Sequence, residues 1–430
     1  MEHSSNGLIL AVSGGNILTS LGGTEKVIIS HQKMFVNKGI DYLYIYPVKK
    51  NIGSLNIYYY WGTIFNGRFK GLFTTKELIN LLSFEYHGDL LFKIHIHHLR
   101  GINLHELGVI LDTFKKTEIF IYVHDYYLIC DQFTLLNDKN LFCGAGLPSP
   151  QKCNNCHWVK SKDNVFARLE FIRQYFDRVQ FIAPSETAKN VLVNSISEIK
   201  GKVAVIYHQT LVGQYKENFN HLNEKDSIKV AFCGLPNEIK GWPVWVKAAD
   251  KAFENGSKIL YYHFGKAAEE EPKYMKNIPV GFQNNETSMT EALRENNIDC
   301  VVLWSQWPET YSYVYYECIA ANAFLITHKN SGNIAYQVKN NNTGIVLNDD
   351  DELENLLINL KVLRKAINDY HSRGHYGPEK LIENDKIIEL SSNNGQVIPY
   401  RNKIFKLNIK KMIIENMYKE HMNRKWGIEV

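Results

Sequence analysis

Residues 305–327 read SQWPETYSYVYYECIAANAFLIT, directly after the apolar run DCVVLW that ends at Trp304. The first run is a strand signal, Trp307–Pro308 marks a loop, a helix follows through Tyr315–Ala321, and FLIT is a second strand. Glu309 and Glu317 stand eight residues apart. On one continuous helix that spacing would put them about 12 Å and 80° apart. With Glu309 in the loop and Glu317 in the helix, both face the cleft at the sheet edge, at two depths. Paired carboxylates accept hydrogen bonds from the hydroxyls of a polyol such as a sugar or ribose. The helix N-terminus beside them offers free N–H groups and a positive dipole end to a phosphate.

The same alternation extends in both directions. Strands are expected at 8–13, 41–48, 56–61, 92–97, 118–124, 179–183 and 203–207, then at 229–233, 258–264, 278–282, 300–303, 324–327 and 343–347. Near-continuous apolar strands alternating with helices predict parallel α/β sheets covered on both faces. Between the two sets lies QYKENFNHLNEKDS (214–227), polar and without apolar period, which reads as a linker. The chain therefore divides into residues 1–213, a linker at 214–228, a second half at 229–395 and a tail at 396–430. Phe405, Ile409, Met412, Ile413 and Met417 share a helical face in that tail, which is expected to pack back on the domains. Its basic residues could touch a membrane, though a solvated polar face is the reading taken. Two doubly wound halves facing each other would form a cleft between their C-terminal strand edges.

Composition narrows the function classes. The 430 residues are 45% hydrophobic and 22% charged, a globular balance. With 49 Lys+Arg against 45 Asp+Glu, the excess of +4 is too small for a dedicated nucleic-acid binder. It permits a local basic patch at a phosphate or an anionic surface. There is no run of about 18 apolar residues, so no spanning helix is expected, and MEHSSNG has no basic n-region to suggest a signal peptide. Seven cysteines, an odd and sparse set, argue for a reducing cytoplasm.

Several segments carry chemistry. SGGNILTSLGGTEKVI places Gly22 and Gly23 at a helix start after the first strand, where glycine allows close backbone approach to a ligand. The spacing is neither G-x-G-x-x-G nor a Walker A loop. IHIHHL puts His95 and His97 on one strand face, and YVHDYYLIC brings His124 and Asp125 to another strand end. VAFCGLPNEIKGW holds Gly234, Lys240 and Gly241. YYHFG ends a strand at Gly265, and Asn330, Ser331, Gly332 and Asn333 form a turn after the strand that follows Glu317.

Taken together, these segments resemble the retaining GT-B glycosyltransferases, most closely the large group 1 (GT4) family. The resemblance rests on the E-x7-E pair in its loop–helix context and spans roughly residues 8–350. It implies a GT-B fold, two doubly wound Rossmann-like domains facing across a cleft. It implies sugar transfer from a nucleotide-diphosphate donor, a UDP- or GDP-sugar, to a glycan or lipid-linked saccharide, as in capsule or O-antigen synthesis. His124 would position the donor sugar, Glu309 would hold its hydroxyls, Glu317 the ribose, and Lys240 the leaving diphosphate. Gly22, Gly23, Gly234, Gly265 and Gly332 would line the donor site. The family's arginine after the first glycine of the second half is Leu235 here, which removes one cation from the place where negative charge develops. No catalytic metal or cofactor is expected, since no DxD-type pair sits at a strand end. The expected location is the cytoplasm or the inner face of the membrane. Two alternatives are a sugar-nucleotide epimerase of the same fold and a non-catalytic scaffold subunit.

Cys130, Cys143, Cys153 and Cys156 form C-x12-C-x9-C-x2-C, with His157 adjacent. CNNCH is a chelate spacing for tetrahedral zinc. The insert reads either as a loop stapled by structural zinc or as reduced cysteines in a mobile acceptor-side loop.

Overall fold

A computed structural model of the chain describes residues 5, 7–19, 22–52, 56–85, 92–153, 156–157, 162–213, 221–281, 288–373 and 380–391. The expected tail helix, residues 214–220 of the linker and Phe282 lie outside the described residues.

Two large sheets organise the molecule. The first is built from β1 (Leu8–Val12), β2 (Asp41–Ile52), β3 (Asn56–Phe65), β4 (Arg68–Phe73), β5 (Phe92–Ile96), β6 (Ile119–Tyr122), β7 (Val179–Ala183) and β8 (Val203–Val205). A short strand, β9 (Gln209–Val212), leads out of it. The second sheet holds β10 (Ile228–Cys233), β11 (Ile259–Phe264), β12 (Met275–Ile278), β13 (Cys300–Leu303), β14 (Phe324–His328) and β15 (Gly344–Leu347), and β16 (Lys380–Glu383) returns to pair with β9. Around the first sheet lie α1 (Gly23–Asn37), α2 (Thr75–Glu85), α3 (Leu104–Thr113), α4 (Lys162–Arg173) and α5 (Glu186–Ser195). With the second come α6 (Trp242–Glu254), α7 (Met289–Glu295), α8 (Tyr313–Ala320), α9 (Asn333–Asn341), α10 (Asp350–Ile358) and α11 (Leu360–Ser372), and α12 (Lys386–Ser391) follows β16.

The second sheet runs β12-β11-β10-β13-β14-β15 with every pairing parallel. This is the doubly wound order, whose direction reverses between β10 and β13 and opens a crevice at their C-terminal ends. β1, LILAV, is buried along its whole length because it sits between parallel β2 and β5. The first sheet is mixed rather than wholly parallel. β2, β3 and β4 pair antiparallel at one edge, because their connections are too short for a crossover. Asn66 and Gly67 supply the two positive φ angles (49° and 82°) of the β3–β4 turn.

The strand expected at 278–282 falls earlier, at Met275–Ile278, since Pro279 has no N–H to continue the ladder. Ile387 and Ile388 of α12 join the core of the first sheet beside Ile9, Tyr42 and Phe120. The chain has therefore crossed back to the first sheet before residue 391.

Candidate functional site

The loop between β13 and α8 carries Glu309, and α8 carries Glu317. Glu309 is 4% exposed. Its Oε1 accepts hydrogen bonds from Ser305 Oγ (2.9 Å), Trp307 Nε1 (3.1 Å) and the ammonium of Lys240. Lys240 reaches it from the turn before α6, where Asn237 Oδ1 caps the Lys240 N–H at 2.9 Å and Gly241 takes a left-handed φ of 80°. β10 and β13 are neighbours at the reversal of strand order, so their following loops meet, and this pair is the result.

Glu317 faces the other way, toward the first sheet. Lys26 Nζ on α1 lies 3.6 Å from its Oε1 and 4.0 Å from the centre of the Tyr313 ring. Burial raises the Glu317 carboxyl above its usual range, and the Lys26 charge pulls it back. Lys26 is a site residue that the sequence reading left unassigned. A lysine in the first turn of a helix opposes the helix dipole, and that misplacement was the available signal.

The turn after β14 supports Glu309 from beneath. Asn333 donates its N–H to the Glu309 carbonyl (2.8 Å) and its Nδ2 to the Tyr311 carbonyl (2.7 Å), while Ser331 Oγ donates to the Ser305 carbonyl (2.8 Å). Gly332 has φ 63° and ψ −122°, a conformation open to glycine, and a Cβ on it would run into the backbone of Pro308 and Glu309. Ser312, the N-cap of α8, also has a positive φ of 73°.

The same loop docks on the first sheet. Thr310 Oγ1 donates to the His124 carbonyl (2.6 Å), Ser185 Oγ donates to the Thr310 carbonyl (2.6 Å), and Trp307 packs edge-on to Tyr126. His124 thus lies beside the loop that carries Glu309. Its Nε2 is 3.0 Å from His97 Nδ1, and His97 Nε2 is 3.3 Å from the Tyr42 hydroxyl. This Tyr42–His97–His124 chain links the tautomer of His124 to a buried phenol. Asp125 does not orient His124. Its carboxylate pairs with His98 (3.0 Å) and accepts the Tyr127 N–H (2.9 Å).

The remaining glycines divide. The Gly22 N–H is taken by Glu25 Oε2 at 3.0 Å, so an anion there must displace that carboxylate, whereas a Cβ on Gly23 would meet nothing within 4 Å. Gly234 (φ 118°) and Gly265 (φ 151°) lie against each other at the ends of β10 and β11. Leu235 beside them is 57% exposed.

Two groups invite the question of metal. His31, His95 and His97 bring ligand atoms within 4.8 Å of one another in the core. Both nitrogens of His95 and His97 already have partners: Tyr122 and Ser391 for the first, Tyr42 and His124 for the second. No carboxylate is in the trio to balance a dication, so it reads as a buried polar cluster. The four insert cysteines are half-buried, unbridged and gathered around one small cavity.

Burial lowers all three of these imidazoles, His31 to about 3. Burial likewise lowers His124 to about 3. Unfolded histidine titrates near 6.5, so the trio leaves stability unchanged above that pH. Below it, each costs about 1.4 kcal/mol per pH unit until its folded value is reached. Denaturant midpoints are therefore expected to fall steeply below pH 6.5. His31→Leu also removes the unpartnered Nδ1 and should make that fall shallower by one proton's worth. An unchanged slope in the variant would contradict the assignment.

No protein-family model matches the chain, and no curated protein matches it in sequence. Solved structures do. The sucrose-phosphate synthase of Thermosynechococcus elongatus is 11% identical with a TM-score of 0.52, over 97% of this chain and 100% of that one. TarM is 7% identical with a TM-score of 0.53, over 86% and 94%. A mutant form of S. aureus TarM, solved with Fondaparinux, alpha-GlcNAc-glycerol and UDP, is 8% identical with a TM-score of 0.51, over 86% and 95%. At such identities the likeness is one of fold, and the fold is GT-B: two Rossmann-like sheets that face each other at their C-terminal strand edges.

Proposed function

We propose that this protein is a retaining glycosyltransferase that moves a sugar from a nucleotide diphosphate to a glycan or lipid-linked saccharide in surface-polysaccharide assembly. The observation that carries the reading is the double pairing in the cleft, Glu309 with Lys240 and Glu317 with Lys26. A nucleotide-sugar offers the complement of both pairs: phosphate oxygens for the lysines and hydroxyls for the carboxylates. GT-B neighbours named as a sucrose-phosphate synthase and as a UDP complex are consistent with such a donor.

In this reading the half built on the second sheet holds the donor and the half built on the first sheet the acceptor. Glu317 holds the ribose, and Glu309 holds the donor-sugar hydroxyls. Lys240 and the amides at Gly23 and Gly234 stabilise the departing diphosphate. His124, neutral and oriented through His97, hydrogen-bonds the sugar. Lys26 takes up the missing charge at Leu235, since it is a cation that the first half brings beside α8.

The test is binding and turnover with a panel of UDP- and GDP-sugars. A ligand that binds the folded state raises its melting temperature. Glu317→Ala should weaken nucleotide binding about tenfold or more, the scale of one charge-assisted contact, with a smaller effect on turnover at saturation. Unchanged nucleotide affinity in Glu317→Ala would remove that residue from the donor site. Failure to bind any nucleotide would favour a scaffold subunit, and a rearranged sugar nucleotide formed without acceptor would favour an epimerase.

A further inference from the structure

The described residues of the insert between β6 and α4 have little regular structure: an isolated bridge, Leu136 to Phe142, and a series of turns. Yet its four cysteines converge. Cys130, Cys143, Cys153 and Cys156 all line a single cavity of about 20 Å³, closed by Ile129, Leu136, Pro148 and Val165. A volume of about 10–15 Å³ accommodates one water-sized sphere, so this cavity suits one ion and excludes a multi-iron cluster.

The backbone presents each thiol separately. Leu135 accepts both the N–H (3.0 Å) and the Sγ–H (3.1 Å) of Cys143. The Cys156 N–H closes a turn on the Cys153 carbonyl at 3.1 Å, and the Cys153 N–H bonds to Ser149 at 2.9 Å. Lys152 Nζ ties the Gly144 and Gly146 carbonyls (2.8 and 2.7 Å), while the Gly146 N–H bonds to Ser195 Oγ (2.7 Å).

Oxygen and nitrogen ligands are engaged elsewhere. Asp131, the carboxylate on the wall, is paired with Arg168 at 2.6 Å. His157 is held by Asp138 and is largely exposed. Beside them the cavity wall carries four thiols, a soft donor set.

We propose that Cys130, Cys143, Cys153 and Cys156 bind one zinc ion as a closed tetrathiolate centre that staples the 130–157 insert onto the first sheet. Binding is ligand exchange without redox change: four S–H bonds give up protons to solvent and four Zn–S bonds form. The site then carries two negative charges, and the Lys152 ammonium lies on its wall. Among the described residues, the trio drawn within 4.8 Å is the histidine one, so zinc must draw the sulfurs inward to its ordinary bond length of about 2.3 Å. Metal binding and tightening of the insert are therefore one event. The tightening reaches the cleft, because Asn140 of the insert donates to Glu238 Oε2 (2.6 Å), two residues before Lys240.

The test is the metal content of the full chain, purified without chelator under reducing conditions at neutral pH. About one zinc per chain is expected, released by a thiol-blocking reagent, with a lower melting temperature after release. Cobalt replacement should give the strong visible absorption of a tetrahedral thiolate site. The double variant Cys153→Ser with Cys156→Ser should hold less than about a tenth of the wild-type zinc, while His31→Leu should keep all of it. Cobalt titration of the wild-type chain remains decisive where the double variant fails to fold. Zinc below about a tenth per chain after reconstitution, zinc kept in the cysteine variant, zinc lost from His31→Leu, or iron with sulfide would each overturn the proposal. None of these readings depends on transferase activity.

Discussion

Glu309→Gln is expected to lower turnover about 100- to 1,000-fold, the range seen when one electrostatic contact to a developing charge is lost. The amide keeps the shape and one acceptor, so Ser305 and Trp307 can still donate. What it loses is the negative charge that holds Lys240 and that, in the proposed function, meets the donor-sugar hydroxyls. Lys240 then has no carboxylate partner in the loop and settles on phosphate in the ground state as well as the transition state. Donor KM should therefore change by less than about tenfold while kcat falls, the mark of an interaction made mainly in the transition state. Steady-state kinetics with saturating acceptor make the comparison. Wild-type kcat in Glu309→Gln would remove this carboxylate from the mechanism.

Gly332→Ala is expected to be severely damaging for a single added methyl. A Cβ there would fall far inside van der Waals contact with the Pro308 carbonyl carbon and the Glu309 nitrogen, and 2.6 Å from Pro308 Cα. The surrounding atoms are backbone and cannot rotate away. The positive φ adds its own penalty of about 1–3 kcal/mol, and overpacking adds about as much again. Either the loop lifts or α9 withdraws. In both cases the Asn333 hydrogen bond to Glu309 is broken, and the carboxylate moves off Lys240. Urea unfolding should show a loss of about 3 kcal/mol or more, with transfer nearly abolished. Gly23→Ala, where a Cβ has open space, is the matched control and should retain its stability. A Gly332→Ala protein as stable and active as wild type would refute the packing argument.

Much of this was legible because the signals were strong and local. The βαβ unit around Glu309 and Glu317 was readable from one strand run, one proline and one helix. The loop position of the first glutamate and the helical position of the second follow from that reading. The α/β class and the division into two sheets were accessible through the alternation alone, though not the antiparallel β2–β3–β4 edge. The β3–β4 hairpin was missed although Asn66–Gly67 announced it. The β9–β16 ribbon was hidden for a better reason: each strand is four residues long, and Gln209 pairs with Glu383, far along the chain. The partner of Asp125 was undecidable from sequence, because the register of β5 against β6 determines which histidine it meets. Lys26 was passed over because its partner belongs to the other sheet. Contacts across the cleft leave no periodicity in either half.

The β9–β16 ribbon also governs how the halves can move. The outgoing chain at β9 and the returning chain at β16 are tied by a four-residue ladder. Asn384 adds a second clasp, donating to the Tyr207 and His208 carbonyls at 2.8 and 3.0 Å. α12 then anchors the return in the first core. One strap allows swing, twist and slide alike. Two straps fastened side by side work like the leaf of a door, leaving swing about one axis and resisting twist. Glu317 and Lys26 would then part and meet along a single arc, with their facing side chains always in register.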